Sequence, residues 1–172
     1  MLAAWSLASC NTAARNAAAS APEADQVVGA ELKNLYMTAS SAAPQSAAQQ
    51  KVILQMAEKA SNGKELLLTM RASMGVFPSG GGSREPGAES RVRSIVTAKM
   101  MRLGTLDQLI EYAAEYPVDP ESARPFVQRM LALGDEKSDA RVWNQIRLAA
   151  FHLKVGDLER QAQTKSEQLA GK

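Results

Sequence analysis

One cysteine and one histidine are all that the 172-residue chain carries of those two types. A single cysteine excludes an internal disulfide framework and any cysteine-based zinc cluster, and a lone histidine excludes a multi-histidine metal site. Aromatic residues make up only 5% of the chain, and the 45% hydrophobic share overstates the packing material, because thirty residues are alanine and sixteen of those fall in the first fifty. No run of about 18 apolar residues exists, so no segment reads as a membrane-spanning helix. Neither sign of charge dominates: Lys+Arg 20 against Asp+Glu 18 leaves +2, too even to indicate a nucleic-acid binder by bulk electrostatics. The charged fraction of 22% is that of a folded protein, and the length suits one domain, or one domain with a tail. A large multidomain enzyme is excluded.

What the chain does have is helical periodicity. No segment sustains period-2 alternation, whereas several repeat at 3.6 residues. Ser20-Ala21-Pro22-Glu23 reads as a capping box, after which Val28, Leu32, Leu35 and Tyr36 line one face until Ser40–Pro44 breaks the helix. From Gln45 to Met74 the apolar positions Ile53, Met56, Ala57, Ala60, Leu67, Met70 and Met74 stay in one register past Asn62-Gly63. That register favours one long helix with a kink at Gly63 over two helices. Phe77 to Glu89, with Pro78, Gly80, Gly81, Gly82, Pro86 and Gly87, reads as a linker.

Beyond the linker, Val92, Ile95, Val96, Met100 and Leu103 form one stripe, ended by Gly104. Thr105-Leu106-Asp107-Gln108 is a second capping box, opening a helix lined by Leu106, Leu109, Ile110 and Ala113. Asp119-Pro120 places an N-cap before a proline at the first helical position, and Gly134 closes that helix. Lys137 to Val155 is apolar on most sides (Val142, Trp143, Ile146, Ala149, Ala150, Phe151, Leu153), the pattern of a central buried helix. Gly156-Asp157 opens a last, weakly amphipathic helix. The expected fold is all-α, five to eight helices in antiparallel hairpins or a bundle, with solenoid-like packing open to the C-terminal half. The expected organisation is residues 1–21 as a signal remnant and flexible tether, 22–76 as an N-terminal helical pair, 77–89 as the linker and 90–172 as a C-terminal helical domain.

Catalytic chemistry finds little footing. His152 has no Ser, Cys or Asp pattern pointing to it, and is expected in the core or at its edge. Glu111 and Glu115, with Asp107 and Asp119 nearby, fit a solvated helix face better than the opposed carboxylates of glycoside hydrolysis. Gly80-Gly81-Gly82-Ser83 lacks the spacing and the lysine of a phosphate loop. The chain is therefore expected to be no enzyme and to need neither cofactor nor metal. Tyr112 and Tyr116 are candidate interface residues, because tyrosine is favoured at interfaces. Arg91 and Arg93 belong to a basic group with Arg84, Lys99 and Arg102, which either meets an acidic partner or lipid headgroup, or pairs within the molecule to Asp107, Glu111 and Glu115.

The single cysteine is Cys10, and Leu7-Ala8-Ser9-Cys10 resembles the lipobox of bacterial lipoproteins. In that family small residues fit the signal peptidase and the cysteine thiol carries the lipid. The resemblance implies acylation of Cys10, and the polar, alanine-rich stretch from Asn11 to Pro22 suits the tether behind such an anchor. Asn11 is not aspartate, which implies sorting to the outer membrane, facing the periplasm. The segment ahead of Cys10 is shorter than a full secretory signal: no Lys or Arg precedes it, and the apolar stretch runs only from Leu2 to Ala8. A complete signal then requires a start further upstream. A second, slighter resemblance lies near the C-terminus, where Leu148, Ala149, Gly156 and Leu158 look like parts of the tetratricopeptide repeat. Met101–Gln108 echoes Leu153–Arg160 in residue class, but the two glycines, Gly104 and Gly156, are 52 residues apart. The function these features imply is a non-catalytic, lipid-anchored envelope protein, pilotin-like or scaffolding, that offers a helical surface to a protein partner. The alternative is a cytosolic helical adaptor with a disordered N-terminal tail.

Overall fold

The computed structural model describes residues 27–74, 76–77 and 87–171. The expected capping box at Ser20 and the candidate anchor at Cys10 lie outside them. So does most of the expected linker, although Phe77 and Ala88, near its two ends, are both buried in the core.

Eight helices make up the described chain, with no strand among those residues: α1 (Ala30–Ser41), α2 (Ala47–Lys59), α3 (Gly63–Met74), α4 (Ala88–Leu103), α5 (Leu106–Glu115), α6 (Pro120–Gly134), α7 (Ala140–His152) and α8 (Gly156–Ala170). The all-α expectation holds. Among the described residues successive helices are neighbours, and the fully described connections between them are short turns, as in antiparallel helical hairpins. Among the described residues each helix packs only against helices one or two places away in the chain. The odd-numbered helices thus form one layer and the even-numbered helices a second, with the core between them. This chain-order packing, the habit of stacked helical hairpins, runs the whole described length rather than the C-terminal half alone. Ala30 and Gly63 open α1 and α3 at a spacing of 33 residues, and Leu106 and Ala140 open α5 and α7 at 34. Gly104 caps the end of α4 between two hairpins, whereas Gly156 opens α8 inside one. The two glycines of the sequence echo therefore occupy non-equivalent corners.

One core cluster runs from Leu32 to Ala162. The segments expected as separate units share it, because α2 and α3 pack directly on α4, and α3 on α5. Residues 45–74 form two helices, not one. The chain leaves α2 at Ala60, and Asn62 restarts it: its Oδ1 accepts from the Glu65 amide at 3.0 Å, while the Glu65 carboxylate accepts from the Ser61 amide at 2.7 Å. This reciprocal arrangement satisfies the first amides of α3 as a capping box does. Glu65 also accepts from the Gly29 amide at 2.8 Å, joining the start of α1 to the start of α3.

The remaining helix starts follow local chemistry. Ser46 accepts from the Gln49 amide at α2, and Asp139 from the Arg141 amide at α7. At α5 the Thr105–Gln108 capping box is complete, and α6 begins with Pro120 at its first turn. Gly87, at φ 82°, leads into α4 in the left-handed region that glycine tolerates best.

Candidate functional site

α5 is where the expected site and the observed one part. Leu109, Tyr112 and Tyr116 follow one another at spacings of three and four, so both tyrosines continue the core stripe of this helix. Tyr112 is fully buried and Tyr116 only 3% exposed. Their rings lie 5.3 Å apart, and Tyr112 meets Phe126 at 5.5 Å. The Tyr112 hydroxyl shares a 2.8 Å hydrogen bond with Thr97, and burial pushes its pKa up to about 12. Burial also raises Tyr116, opposed by the nearby Arg71 guanidinium. As open interface residues both are corrected: Tyr112 is sealed in the core, and Tyr116, almost fully buried, reaches the surface only in the lining of a cleft.

The basic group disperses. Arg93 pairs with Glu89 at 2.6 Å within α4, and Arg91 lies exposed on the same helix. Lys99 reaches across to the end of α2, where its ammonium donates to the carbonyls of Ala57 and Ala60 at 3.0 Å each and to that of Glu58. There it neutralises the negative end of the helix. Glu111 pairs with Arg71 of α3 instead of with this group.

α7 is less enclosed than its composition suggests. Trp143, Ile146, Ala149 and Ala150 face inward, but Leu148 is 41% and Phe151 60% exposed. α7 is the last described helix of the odd layer, so it has a layer neighbour, α5, on one side only. His152 is exposed rather than packed in the core, with its ring edge-on to Phe151 at 6.0 Å.

His152 lines the larger described cleft, about 530 Å³, which opens between the α5–α6 turn and the α7–α8 turn. That volume falls within the usual range of binding pockets. Its floor is apolar: Ala113, the Tyr116 ring, Pro117, Val118, Ala123, Leu153 and Val155. Its rim carries Arg124, His152, Lys154 and Asp157. Arg124 of α6 and Asp157 of α8 meet at 2.8 Å and tie the two turns together, and this hydrogen bond holds the Asp157 carboxyl below its usual value. Lys154 sits at the apex of its turn with φ 58°, a conformation unusual for a side chain with Cβ, and its ammonium has no hydrogen-bond or ion-pair partner among the described residues. A shallower cleft of about 300 Å³ lies along α8, where Lys165 approaches Asp135 at 3.5 Å and sits 5.5 Å from the centre of the Trp143 ring.

Sequence periodicity could not assemble the larger cleft, because its walls come from two turns more than thirty residues apart. The only local hints were the Tyr116–Pro120 and Leu153–Asp157 corners themselves. Among the described residues no group of three or more His, Cys, Asp or Glu side chains is placed to hold a metal ion, and no helix is long and apolar enough to cross a membrane. Comparison of the chain with protein-family models, with curated proteins and with solved structures finds no match.

Proposed function

We propose that this chain is a non-catalytic docking module of the bacterial cell envelope, held at the outer membrane by a lipid on Cys10 and binding a partner protein as a pilotin or scaffold does. The docking half of the reading is carried by one observation: α7, the last described helix of the odd layer, leaves Leu148 and Phe151 exposed, and Phe151 stands edge-on to His152, which lines the cleft between the α5–α6 and α7–α8 turns. Exposed apolar side chains rimmed by polar groups are the usual mark of a protein contact. The anchoring half rests on Leu7-Ala8-Ser9-Cys10 and the small, polar stretch that follows it.

Expression in a bacterial host from the chain's own upstream sequence tests the anchor. The protein should sediment with membranes and be released by detergent but not by high salt, since two or three acyl chains bind far more firmly than one. Cys10→Ser should prevent acylation, because serine carries no thiol. Equal partition of the wild-type and Cys10→Ser proteins into the soluble fraction would favour the cytosolic adaptor instead.

A further inference from the structure

The cleft beside α7 has a chemical asymmetry that specifies more than docking. Its floor is apolar, while its rim holds two side chains of fixed positive charge, Arg124 and Lys154, together with His152 and a single carboxylate, Asp157. That carboxylate is engaged by Arg124 at 2.8 Å, which neutralises both. Lys154 is left without a partner among the described residues, and the backbone of its turn holds it at the mouth of the cleft. His152 stands beside it in the lining, and its ring lies edge-on to the exposed Phe151 at 6.0 Å.

An apolar floor with an uncompensated cation at its lip is complementary to a ligand that carries an apolar side chain next to a carboxylate. The exposed Phe151 ring, 6.0 Å from that of His152, places a further apolar side chain next to the lining. We infer that the cleft between the α5–α6 and α7–α8 turns binds a short acidic, leucine-bearing segment of the partner protein, with Lys154 and His152 receiving its carboxylates and Phe151 its apolar side chains. The inference rests on the docking reading above and is independent of the Cys10 anchor.

Three fluorescent eight-residue peptides test it against the full-length protein: alternating Leu-Glu, alternating Leu-Gln and alternating Leu-Lys. Fluorescence polarisation should show saturable binding of the Leu-Glu peptide and at least about tenfold weaker binding of the other two, the discrimination expected of a charge-assisted contact. Lys154→Glu should weaken the Leu-Glu peptide by about tenfold or more and improve the Leu-Lys peptide, a reversal that simple unfolding cannot produce. Phe151→Ser should weaken Leu-Glu and Leu-Gln alike. An unchanged helical circular dichroism spectrum certifies both variants as folded. Equal binding of all three peptides, no binding of any, or Leu-Glu binding indifferent to Lys154→Glu would overturn the inference. If the protein meanwhile fractionates with membranes through Cys10, only the chemistry assigned to the partner fails, and the anchored reading stands.

Discussion

At the scale of single residues, polar groups at helix ends tie neighbouring helices of one layer together, as Glu65 joins α3 to the start of α1 and Lys99 joins α4 to the end of α2. Glu65 is 4% exposed, and burial alone would raise its pKa. Hydrogen bonds from Gly29, from the Ser61 amide and hydroxyl, and from the Asn62 backbone outweigh burial and hold it below the usual carboxylate value. A carboxyl whose folded pKa is depressed stabilises the native state above its unfolded value, about 4.3, and the contribution disappears as pH falls through the folded value. Glu65→Gln should therefore flatten the acid limb of the stability curve below about pH 4.3 as well as lowering stability at neutral pH, which urea titration across pH would detect. An acid limb identical to that of the wild type would show that Glu65 does not titrate as described. Trp143 belongs to the same scale. It is 2% exposed, lies against Gly134 at the end of α6, and donates from its indole nitrogen to the Lys137 carbonyl at 3.3 Å. Trp143→Ala should cost about 3–5 kcal/mol by chemical denaturation, and an unchanged midpoint would mean that α7 is not part of the main core.

Elements depend on how closely they can approach. Gly63, the first residue of α3, has no Cβ because one there would stand 1.8 Å from the Gln108 side-chain oxygen. That oxygen accepts from the Thr105 amide in the α5 capping box, so it cannot swing aside without giving up the cap. Gly63→Ala should accordingly destabilise the protein by about 1–2 kcal/mol, despite the better helix propensity of alanine, and Gln108→Ala should relieve most of the steric part. A double-mutant cycle reads this directly, and additive effects would refute the coupling. The start of α5 was legible in the sequence because the Thr105–Gln108 capping box decides it within four residues, and that of α6 because Pro120 sets its first turn, although the Asp119 side chain makes no cap hydrogen bond. The break between α2 and α3 was not, since both helices face one core and their apolar register carries straight across Ser61-Asn62. The signals were present all the same, in Ser46-Ala47-Ala48-Gln49 and Asn62-Gly63-Lys64-Glu65, each a cap residue followed three places later by Gln or Glu. Tyr112 and Tyr116 were misplaced for the opposite reason: residue type suggested an interface, while their spacing from Leu109 placed them in the core.

At the scale of the whole molecule, packing in chain order means that no described helix is held by a distant part of the sequence. Such arrays open locally from their ends. Loss of the Glu65 tie to Gly29 should therefore raise amide exchange in α1 well before it affects the α7–α8 hairpin, and uniform acceleration along the chain would show a single cooperative unit. The same architecture accounts for the position of the candidate site. Neighbouring hairpin turns come together at one edge of the stack, which brings Arg124 beside Lys154 and Asp157 although 33 residues of chain separate Arg124 from Asp157. The helical array was legible from periodicity alone, whereas this juxtaposition emerges only from how one hairpin stacks on the next. The proposed role joins that edge to a membrane through Cys10, and the intact mass of the protein expressed in a bacterial host from its own upstream sequence tests it most directly. Anchoring requires a species that begins at Cys10 and carries the added mass of a diacylglycerol and, in hosts that N-acylate, a further acyl chain. An unmodified species that retains residues 1–9 would contradict it.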